Sequence, residues 1–296
     1  PRFPPLSPPM LRLLPALLLL LPASAFAQST WYVPDDFSTI QEGIDGSANG
    51  DTVIVRDGTY VENINFNGKA VTLASENGPL AAVIDGNRSG SVVTFNNGEG
   101  PATTLNGFTL RNGRANWGGG VHCDISSPTL NNCRVIANKV LWDGAGIYCS
   151  AGSSPALTNC SFVDNDADEL PASDGGGMYC AAGSSPTLDN CSFVNNIASS
   201  EGGGICLDVD VFSGAGSSAT LNNCVFTGNS CPYGGGAILC RSSSLTLVNC
   251  TFKGNSANLS GGGGICFYSG SSGTLDNCVF EDNYSDWEGG GVECNT

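Results

Sequence analysis

The chain has 296 residues, of which 41 are glycine and 14 are cysteine, and only 13% are charged. Its formal net charge is −16, from 27 acidic and 11 basic residues. This charge excludes nucleic acid as a partner, because a polyanion would be repelled and would find no basic stripe. It disfavours anionic polysaccharides for the same reason.

The N-terminal residues have the pattern of a secretory signal. Residues 10–27, MLRLLPALLLLLPASAFA, combine one arginine, a leucine-rich run and a small-residue ending at Ala27. This is typical of a signal peptide that is cleaved on export, with residues 1–9 upstream of the natural start and the mature chain beginning near Gln28. A retained anchor is the alternative, but the apolar run is short and is interrupted by Pro15. We therefore expect a secreted protein with no transmembrane segment in the mature region.

Residues 28–115 are predicted to form an N-terminal cap and irregular first coils. A capping-box pattern of Ser38 and Gln41 indicates a short helix, with Ile40 and Ile44 on one apolar stripe. That helix would close the open apolar end of the coils behind it. Strand-like segments follow at 53–55, 64–66, 71–73, 83–84 and 92–95.

Residues 116–296 contain two alternating motifs with a period of roughly 26 residues, which indicates a solenoid. The first is a glycine string: GGGVHC at 118, GAGIYC at 144, GGGMYC at 175, GGGIC at 202, GGAILC at 235, GGGIC at 262 and GGGVEC at 289. The second is TLNNCRVIAN at 129, ALTNCSFVDN at 156, TLDNCSFVNN at 187, TLNNCVFTGN at 220, TLVNCTFKGN at 246 and TLDNCVFEDN at 274. The glycines are expected at corners, where positive φ and close backbone approach are needed.

The fold predicted from these repeats is all-β. Short apolar triplets separated by Gly, Ser, Pro and Asn, without a helical period, favour strands. One unit cannot bury its own apolar face, whereas stacked units cover one another. The unit length suits one turn of a three-faced parallel β-helix, with coils about 4.8 Å apart. Four phenylalanines are then expected in one column: Phe162, Phe193, Phe226 and Phe252. The end at Thr296 shows no closing element, so further C-terminal repeats or an anchoring domain are expected, and the alternative is a natural end that a partner protects.

Alternation within the glycine strings places His122, Tyr148 and Tyr179 on the outside of three successive coils. Trp117 and Trp142 precede two of the strings. Flat exposed aromatic surfaces are typical of sugar or protein contacts. These five residues are therefore candidate binding residues for a host-surface or matrix glycan or protein. The alternative is a cross-strand stack that only stabilises the fold.

The cysteines leave two interpretations open. A zinc motif is excluded from the spacing, because there is no CxxC and only one histidine. Disulfides between neighbouring coils fit the distance and a secreted protein, while free thiols would serve as small apolar filler. Cys206 and Cys266 directly follow isoleucine, so they point outward unless a glycine bulge restores their register.

An acidic insertion at 164–174 offers a weak calcium candidate at Asp164, Asp166 and Asp168. It is not an EF-hand loop, because position six is Glu169 and position twelve is Gly175. A solvated loop is the alternative, and no other cofactor is expected.

The alternating GGGMYC and CSFVNN motifs, over residues 104–296, resemble the repeat of the chlamydial polymorphic outer membrane protein family. The segment STIQEGIDGSANGDTVIVRDGTYVENI also looks like the start of pectin-lyase-like right-handed β-helix proteins, which include pectinesterases. These resemblances imply a right-handed β-helix that is secreted or exposed on a bacterial outer membrane. In the polymorphic family the helix is a passenger displayed by a C-terminal membrane barrel and is associated with adhesion.

Catalysis has little support in the sequence. A hydrolase or esterase needs carboxylates around one bond, and a lyase needs a base on a groove. The few basic residues do not repeat at equivalent positions, and no Ser/His/Asp set or nucleophile elbow is present. No catalytic residue is therefore assigned, and a non-catalytic adhesin, passenger or glycan-contacting module is expected. The alternative is a polysaccharide lyase, glycoside hydrolase or pectinesterase-like enzyme, which would show a concave groove with clustered Asp or with Asp and Lys/Arg.

Overall fold

The computed structural model describes residues 27–209, 214–268, 270–287 and 289–295. All pairings between its strands are parallel, and each strand pairs with its counterpart one coil away. The all-β parallel β-helix predicted from the repeats is confirmed. Residues 1–9 and all but the last residue of the predicted signal peptide lie outside the described residues.

In the repeats, the motif TLxNCxF spans the first two faces of the β-helix. The strand on the first face ends before the cysteine, and the strand on the second face begins directly after it. The first sheet has ten strands: Thr30–Val33, Thr52–Val55, Thr72–Ser75, Thr104–Asn106, Thr129–Asn131, Ala156–Thr158, Thr187–Asp189, Ser218–Asn222, Ser244–Val248 and Ser272–Asp276. The second sheet has nine: Gly58–Val61, Ala82–Asp85, Thr109–Arg111, Arg134–Ile136, Ser161–Val163, Ser192–Val194, Val225–Thr227, Thr251–Lys253 and Val279–Glu281. The first sheet runs through both the predicted cap region and the repeats.

The third face follows the glycine strings, and a short fourth ladder precedes them. The third sheet has nine strands: Ile64–Asn65, Val93–Phe95, Val121–Asp124, Ile147–Ser150, Met178–Cys180, Ile205–Leu207, Ile238–Arg241, Ile265–Tyr268 and Val292–Cys294. The fourth has seven two-residue strands: Arg114–Ala115, Lys139–Val140, Asp166–Ala167, Ile197–Ala198, Ser230–Cys231, Ser256–Ala257 and Tyr284–Ser285. The three predicted faces are therefore present, with a minor ladder at one corner that the sequence did not reveal.

The helix near the N-terminus is Ile40–Gly46, and Ile40 and Ile44 are fully buried in the main core against the first strands. The predicted capping box of Ser38 and Gln41 was wrong by one residue. Thr39 is the N-cap and Glu42 completes the box, because the backbone adopts helical geometry only from Ile40. The Glu42 carboxylate accepts from the Ser38 and Thr39 backbone N–H groups at 3.0 and 3.2 Å.

The interior of the coils consists of columns of like residues. Phe162, Phe193, Phe226, Phe252 and Phe280 stack with ring centroids 4.6 to 4.9 Å apart and ring planes within 8° of parallel. The first four of these side chains are fully buried. The predicted phenylalanine column is confirmed, and each buried ring adds about 1.5–3 kcal/mol of hydrophobic stabilisation.

A second column is made of the asparagines that end each CxFxxN motif and the related CRVIAN motif, and all but the last are fully buried: Asn138, Asn165, Asn196, Asn229, Asn255 and Asn283. The Nδ2 group of Asn196 donates to the Phe162 carbonyl at 3.0 Å and to Asn229 Oδ1 at 2.9 Å. Its own Oδ1 accepts from the Asn165 side chain at 3.0 Å. Each amide thus satisfies backbone groups that the chain turn would otherwise leave unpaired.

The glycine strings form a corner between the fourth ladder and the third sheet. Gly175, the first glycine of its string, has φ of 65°. Gly177, the third, faces the next coil so closely that an added Cβ would lie 2.5 Å from the Gly204 carbonyl oxygen and 2.6 Å from Phe193 Cδ1. The predicted corner role of the glycines is confirmed at these positions.

All 14 cysteines fall within the described residues and are free thiols, and most are buried. Cys123, Cys149 and Cys180 form an inner row, as alternation predicts. Cys206 and Cys266 point outward with no compensating bulge, because Cys206 pairs in register with Tyr179. These two thiols and Leu239 form a separate buried cluster on the outside of the third sheet.

No helix in the described part of the chain has the length and the apolar character needed to cross a lipid bilayer.

Candidate functional site

The three outward residues His122, Tyr148 and Tyr179 form a continuous stack, here called the outer aromatic row. They pair in register on the third sheet between buried neighbours. The ring centroids of His122 and Tyr148 are 5.5 Å apart with planes 10° from parallel, and those of Tyr148 and Tyr179 are 5.6 Å apart with planes 6° from parallel. The predicted outward row is confirmed as a geometric feature.

Stacking uses most of the ring faces in this row, and each pair contributes about 0.5–1.5 kcal/mol. Beyond Tyr179 the next position is Cys206, which is buried. Beyond His122 the next position is Thr94, whose side chain is too small to cover an imidazole ring. Burial raises the pKa of the Tyr148 and Tyr179 hydroxyls, so both stay protonated at neutral pH.

Trp117 adds an exposed aromatic surface beside the row. Its side chain is 43% exposed, and its ring centroid lies 6.2 Å from that of Tyr148. Trp117 and Tyr148 line an open cleft of about 240 Å³, together with His122, Asp124 and Ser150. The Ser150 hydroxyl donates to Asp124 Oδ1 at 2.5 Å. The cleft therefore combines aromatic surface with hydrogen-bonding groups.

Trp142 lies apart from this cleft. Its backbone N–H donates to the Asn116 carbonyl, while Gly118 N–H donates to the Asp143 carbonyl, so the counterpart of Trp117 one coil later is Asp143. Trp142 is 47% exposed, and among the described residues its ring contacts no member of the outer aromatic row. The structure thus brings together four of the five candidate binding residues, and a binding role for Trp142 stays a prediction.

The calcium candidate has a different environment. Asp164 and Asp168 are exposed, whereas Asp166 forms an ion pair with Lys139 at 2.5 Å and accepts from the Asp168 backbone N–H at 3.0 Å. Within the described residues these three aspartates do not form a group of ligand atoms within 4.8 Å of one another. Calcium at this insertion stays a prediction.

Four carboxylates that sequence reasoning missed gather beside Tyr179 and are here called the acidic cluster: Asp143, Asp174, Glu201 and Asp208. Asp143 Oδ1 accepts from the Asp174 backbone N–H at 2.9 Å, and Asp174 Oδ1 accepts from the Glu201 backbone N–H at 2.9 Å. The signal was present in the sequence, because an acid directly precedes three successive glycine strings, at 144, 175 and 202, in DGAG, DGGG and EGGG. Those acids fall at equivalent positions of successive coils and therefore stack.

One guanidinium faces this cluster. Arg241 forms an ion pair with Glu201 and donates to Asp208 Oδ2 at 3.0 Å. Burial raises the pKa of Asp143 to about 6, and burial together with the charges of Glu201 and Asp143 raises that of Asp174 to about 7. Burial also raises the pKa of Glu201, against the lowering effect of Arg241. The cluster therefore carries more negative charge than Arg241 compensates.

Two features of the described residues bear on the groove expected of a carbohydrate-active enzyme. Glu201 and Asp208 are each only 9% exposed, so this combination of acids with arginine does not line an open groove. A larger cleft of about 490 Å³ lies on the outside of the first sheet, and Asp189 is the single carboxylate among its lining residues. Glycosidic hydrolysis uses a pair of carboxylates around the bond.

Comparisons with known proteins give matches to a solved structure and to a family model. The structure of rice weevil pectin methyl esterase is similar over 88% of this chain and 89% of that chain, with 12% sequence identity and a TM-score of 0.47. Identity this low says nothing about activity. A comparison with curated proteins gives no match. Residues 43–210 and 206–296 match the family described as right-handed beta helix region. The match covers most of the sequence and confirms the predicted handedness, so the chain belongs to the right-handed β-helix family.

Proposed function

We propose that this protein is a secreted or surface-displayed, non-catalytic β-helix that contacts a glycan through Trp117 and the outer aromatic row. The observation that carries the proposal is the cleft in which the exposed indole of Trp117 lies beside Tyr148, next to the hydrogen-bonded pair of Asp124 and Ser150. Aromatic surfaces next to polar groups suit sugars, which present both C–H faces and hydroxyls.

The glycan proposed is neutral. The formal net charge of −16 and the carboxylate of Asp124 in the cleft would repel an acidic sugar. Since the rings of the row already stack on one another, the sugar would use the indole face of Trp117 and the open face of His122. The row itself then acts as a rigid base that costs little ordering entropy on binding.

Display on a bacterial surface is the second part of the proposal. It is supported by the repeat resemblance to the chlamydial polymorphic outer membrane proteins and by the signal-like residues 10–27. In this arrangement the rod is an adhesin or passenger, and its anchor would lie in a separate segment. Digestion of intact cells with an added protease should remove the rod, whereas digestion only after lysis would contradict surface display.

Binding to neutral glycans can be tested on a glycan array with the full chain. We expect Trp117→Ala to weaken binding at least about tenfold, as removal of an interface aromatic commonly does. The matched control is Trp287→Ala, because Trp287 is also exposed, at 78%, and lies on the last described coil. Far-UV circular dichroism of both variants checks that the β-helix is intact.

Three outcomes would count against the proposal. The first is a wild-type protein that binds no neutral glycan. The second is an equal loss of binding in the Trp117 and Trp287 variants. The third is undiminished attachment to cells after enzymatic removal of their glycans, which would show that the partner is a protein.

A further inference from the structure

We infer that Asp174, Cys206 and Asp208 form a binding site for a divalent transition-metal ion, best matched by zinc, that joins two coils of the β-helix. One ligand atom from each residue lies within 4.8 Å of the other two. Asp174 directly precedes a glycine string, while Cys206 and Asp208 lie one coil further along. Cys206 and Asp208 are two residues apart, so both point to the outside of the third sheet.

The Cys206 thiol is the observation that separates this group from an ordinary cluster of acids. It is completely buried and forms no hydrogen bond with any described residue, yet its Sγ faces two carboxylates. Cys206 also packs in one cluster with Leu239 and Cys266, as an apolar filler would, but its Sγ in addition faces Asp174 and Asp208. Cys266 belongs to the same outward row two coils away and is equally buried, but among the described residues it is not part of any such group.

Charge favours a cation at this position. Arg241 pairs with Glu201 and Asp208, but Asp174 forms no ion pair within the described part of the chain. Asp174 accepts a backbone hydrogen bond from Glu201, but a half-buried carboxylate without a cation beside it is costly, because it has lost part of its hydration. A bound dication would offset the charge of Asp174 and of the thiolate together.

The donor set selects the metal. A thiolate with two carboxylates suits zinc, whose bonds are about 2.3 Å to sulfur and about 2.0–2.2 Å to oxygen. Calcium and magnesium prefer oxygen alone. A tetrahedron with such bonds has edges of about 3.5 Å, so ligand atoms that lie within 4.8 Å of one another would approach by at most about 1 Å. Solvent would hold the fourth position, and the Cys206 proton would pass to water on binding.

This inference is independent of the proposed glycan contact. It also differs from the calcium candidate at Asp164, Asp166 and Asp168, which uses oxygen donors alone. The expected role is structural, since the ligands come from two consecutive coils and a metal would cross-link them. Binding should therefore stabilise the folded chain.

The test uses the full chain, reduced and freed of metal with a chelator. Cobalt(II) is the first probe, because its bond to a thiolate gives a charge-transfer absorption in the near ultraviolet. A competition titration with a chromophoric chelator then gives the zinc affinity. We expect one equivalent of cobalt–thiolate absorption and a rise in the thermal midpoint with zinc. Cys206→Ala and Asp174→Asn should each lower the zinc affinity at least about 100-fold, more than loss of an outer-shell partner does.

Cys266→Ala is the matched control, because it removes an equally buried thiol from the same outward row. It should leave the cobalt absorption and the zinc affinity unchanged. Circular dichroism of the apo variants separates loss of metal from loss of fold. If a folded Asp174→Asn variant binds zinc as the wild type does, or if the wild type shows no cobalt–thiolate absorption, the inference is overturned.

Discussion

Tyr179 donates a hydrogen bond from its hydroxyl to Asp208 Oδ2 at 3.2 Å, across two neighbouring coils. This bond joins the last ring of the outer aromatic row to the acidic cluster. The same oxygen of Asp208 also accepts from Arg241. The row and the cluster are therefore mechanically coupled, although they are proposed to bind different ligands.

Replacing Tyr179 with phenylalanine should separate stacking from hydrogen bonding. Tyr179→Phe keeps the ring but leaves Asp208, which is 9% exposed, with one fewer donor. We expect a loss of about 1.5 kcal/mol in the free energy of unfolding, as for a hydrogen bond to a charged group. Urea denaturation measures it, with Tyr233→Phe as the control because Tyr233 is 49% exposed. Equal stability of the two variants would contradict the role given to this bond.

The corner glycines should differ sharply in their tolerance of a methyl group. At Gly177 an added Cβ would collide with the Gly204 carbonyl and with Phe193, so Gly177→Ala should cost about 3 kcal/mol. Gly152 has φ of 77° but nothing within 4 Å of an added Cβ. Gly152→Ala should therefore cost only about 1 kcal/mol, from backbone strain. Thermal unfolding of the two variants tests the order, and similar losses would show that packing at the corner is loose.

The asparagine column should contribute most in the middle of the rod. Asn196→Ala removes bonds to Phe162 and Asn229 and leaves buried groups of two coils unpaired. We expect a loss of about 3 kcal/mol in unfolding free energy. Asn283 makes the corresponding bond to Phe252 but is only partly buried, so Asn283→Ala should cost about 1 kcal/mol. Chemical denaturation distinguishes them, and the account of this column fails if the terminal variant is the less stable.

A buried carboxylate in the early coils should make stability depend on pH. Glu99 is 2% exposed and accepts from Gly68 N–H at 2.7 Å, Asn97 N–H at 2.8 Å and the Ser126 hydroxyl at 2.7 Å. Burial alone would raise its pKa, but these donors outweigh burial and lower it below the ordinary 4.5. Because the folded pKa is lowered, the stabilisation is complete above pH 4.5 and is lost as the pH falls through the folded pKa.

Glu99→Gln should consequently destabilise the protein at pH 7 by about 2 kcal/mol, since an amide NH₂ would face a backbone donor. The difference from the wild type should shrink at acid pH, where Glu99 itself becomes protonated. Denaturant unfolding across this pH range measures both effects. Glu281→Gln is the control, because Glu281 lies on the surface in an exposed ion pair with Lys253. If the difference in unfolding free energy between Glu99→Gln and the wild type does not vary with pH, stability does not depend on the ionisation of Glu99.

Local sequence was sufficient for some features and insufficient for others. The strand around Val53 and Val55 and the outward position of Tyr148 follow from period-two alternation, which is a property of consecutive residues. The helix start was misplaced by one residue, because Ser38, Thr39, Gln41 and Glu42 offer two overlapping capping patterns and only the backbone decides between them. Trp117 and Trp142 looked equivalent because both precede a glycine string. Trp142 lies one residue further from its string, however, so Asp143 occupies the position that Trp117 has one coil earlier.

The repeat by itself determined the winding of the chain, since like residues at a fixed period can share a core only by stacking. It thereby also determined the phenylalanine column and the outward tyrosines. Only the tertiary structure decided which outward positions are covered, and so it buried Cys206 next to Asp174 and Asp208. The physical reason is that a repeat fixes which residues are neighbours one coil apart, whereas burial of an outward side chain depends on the size and packing of the side chains around it, which the period does not specify.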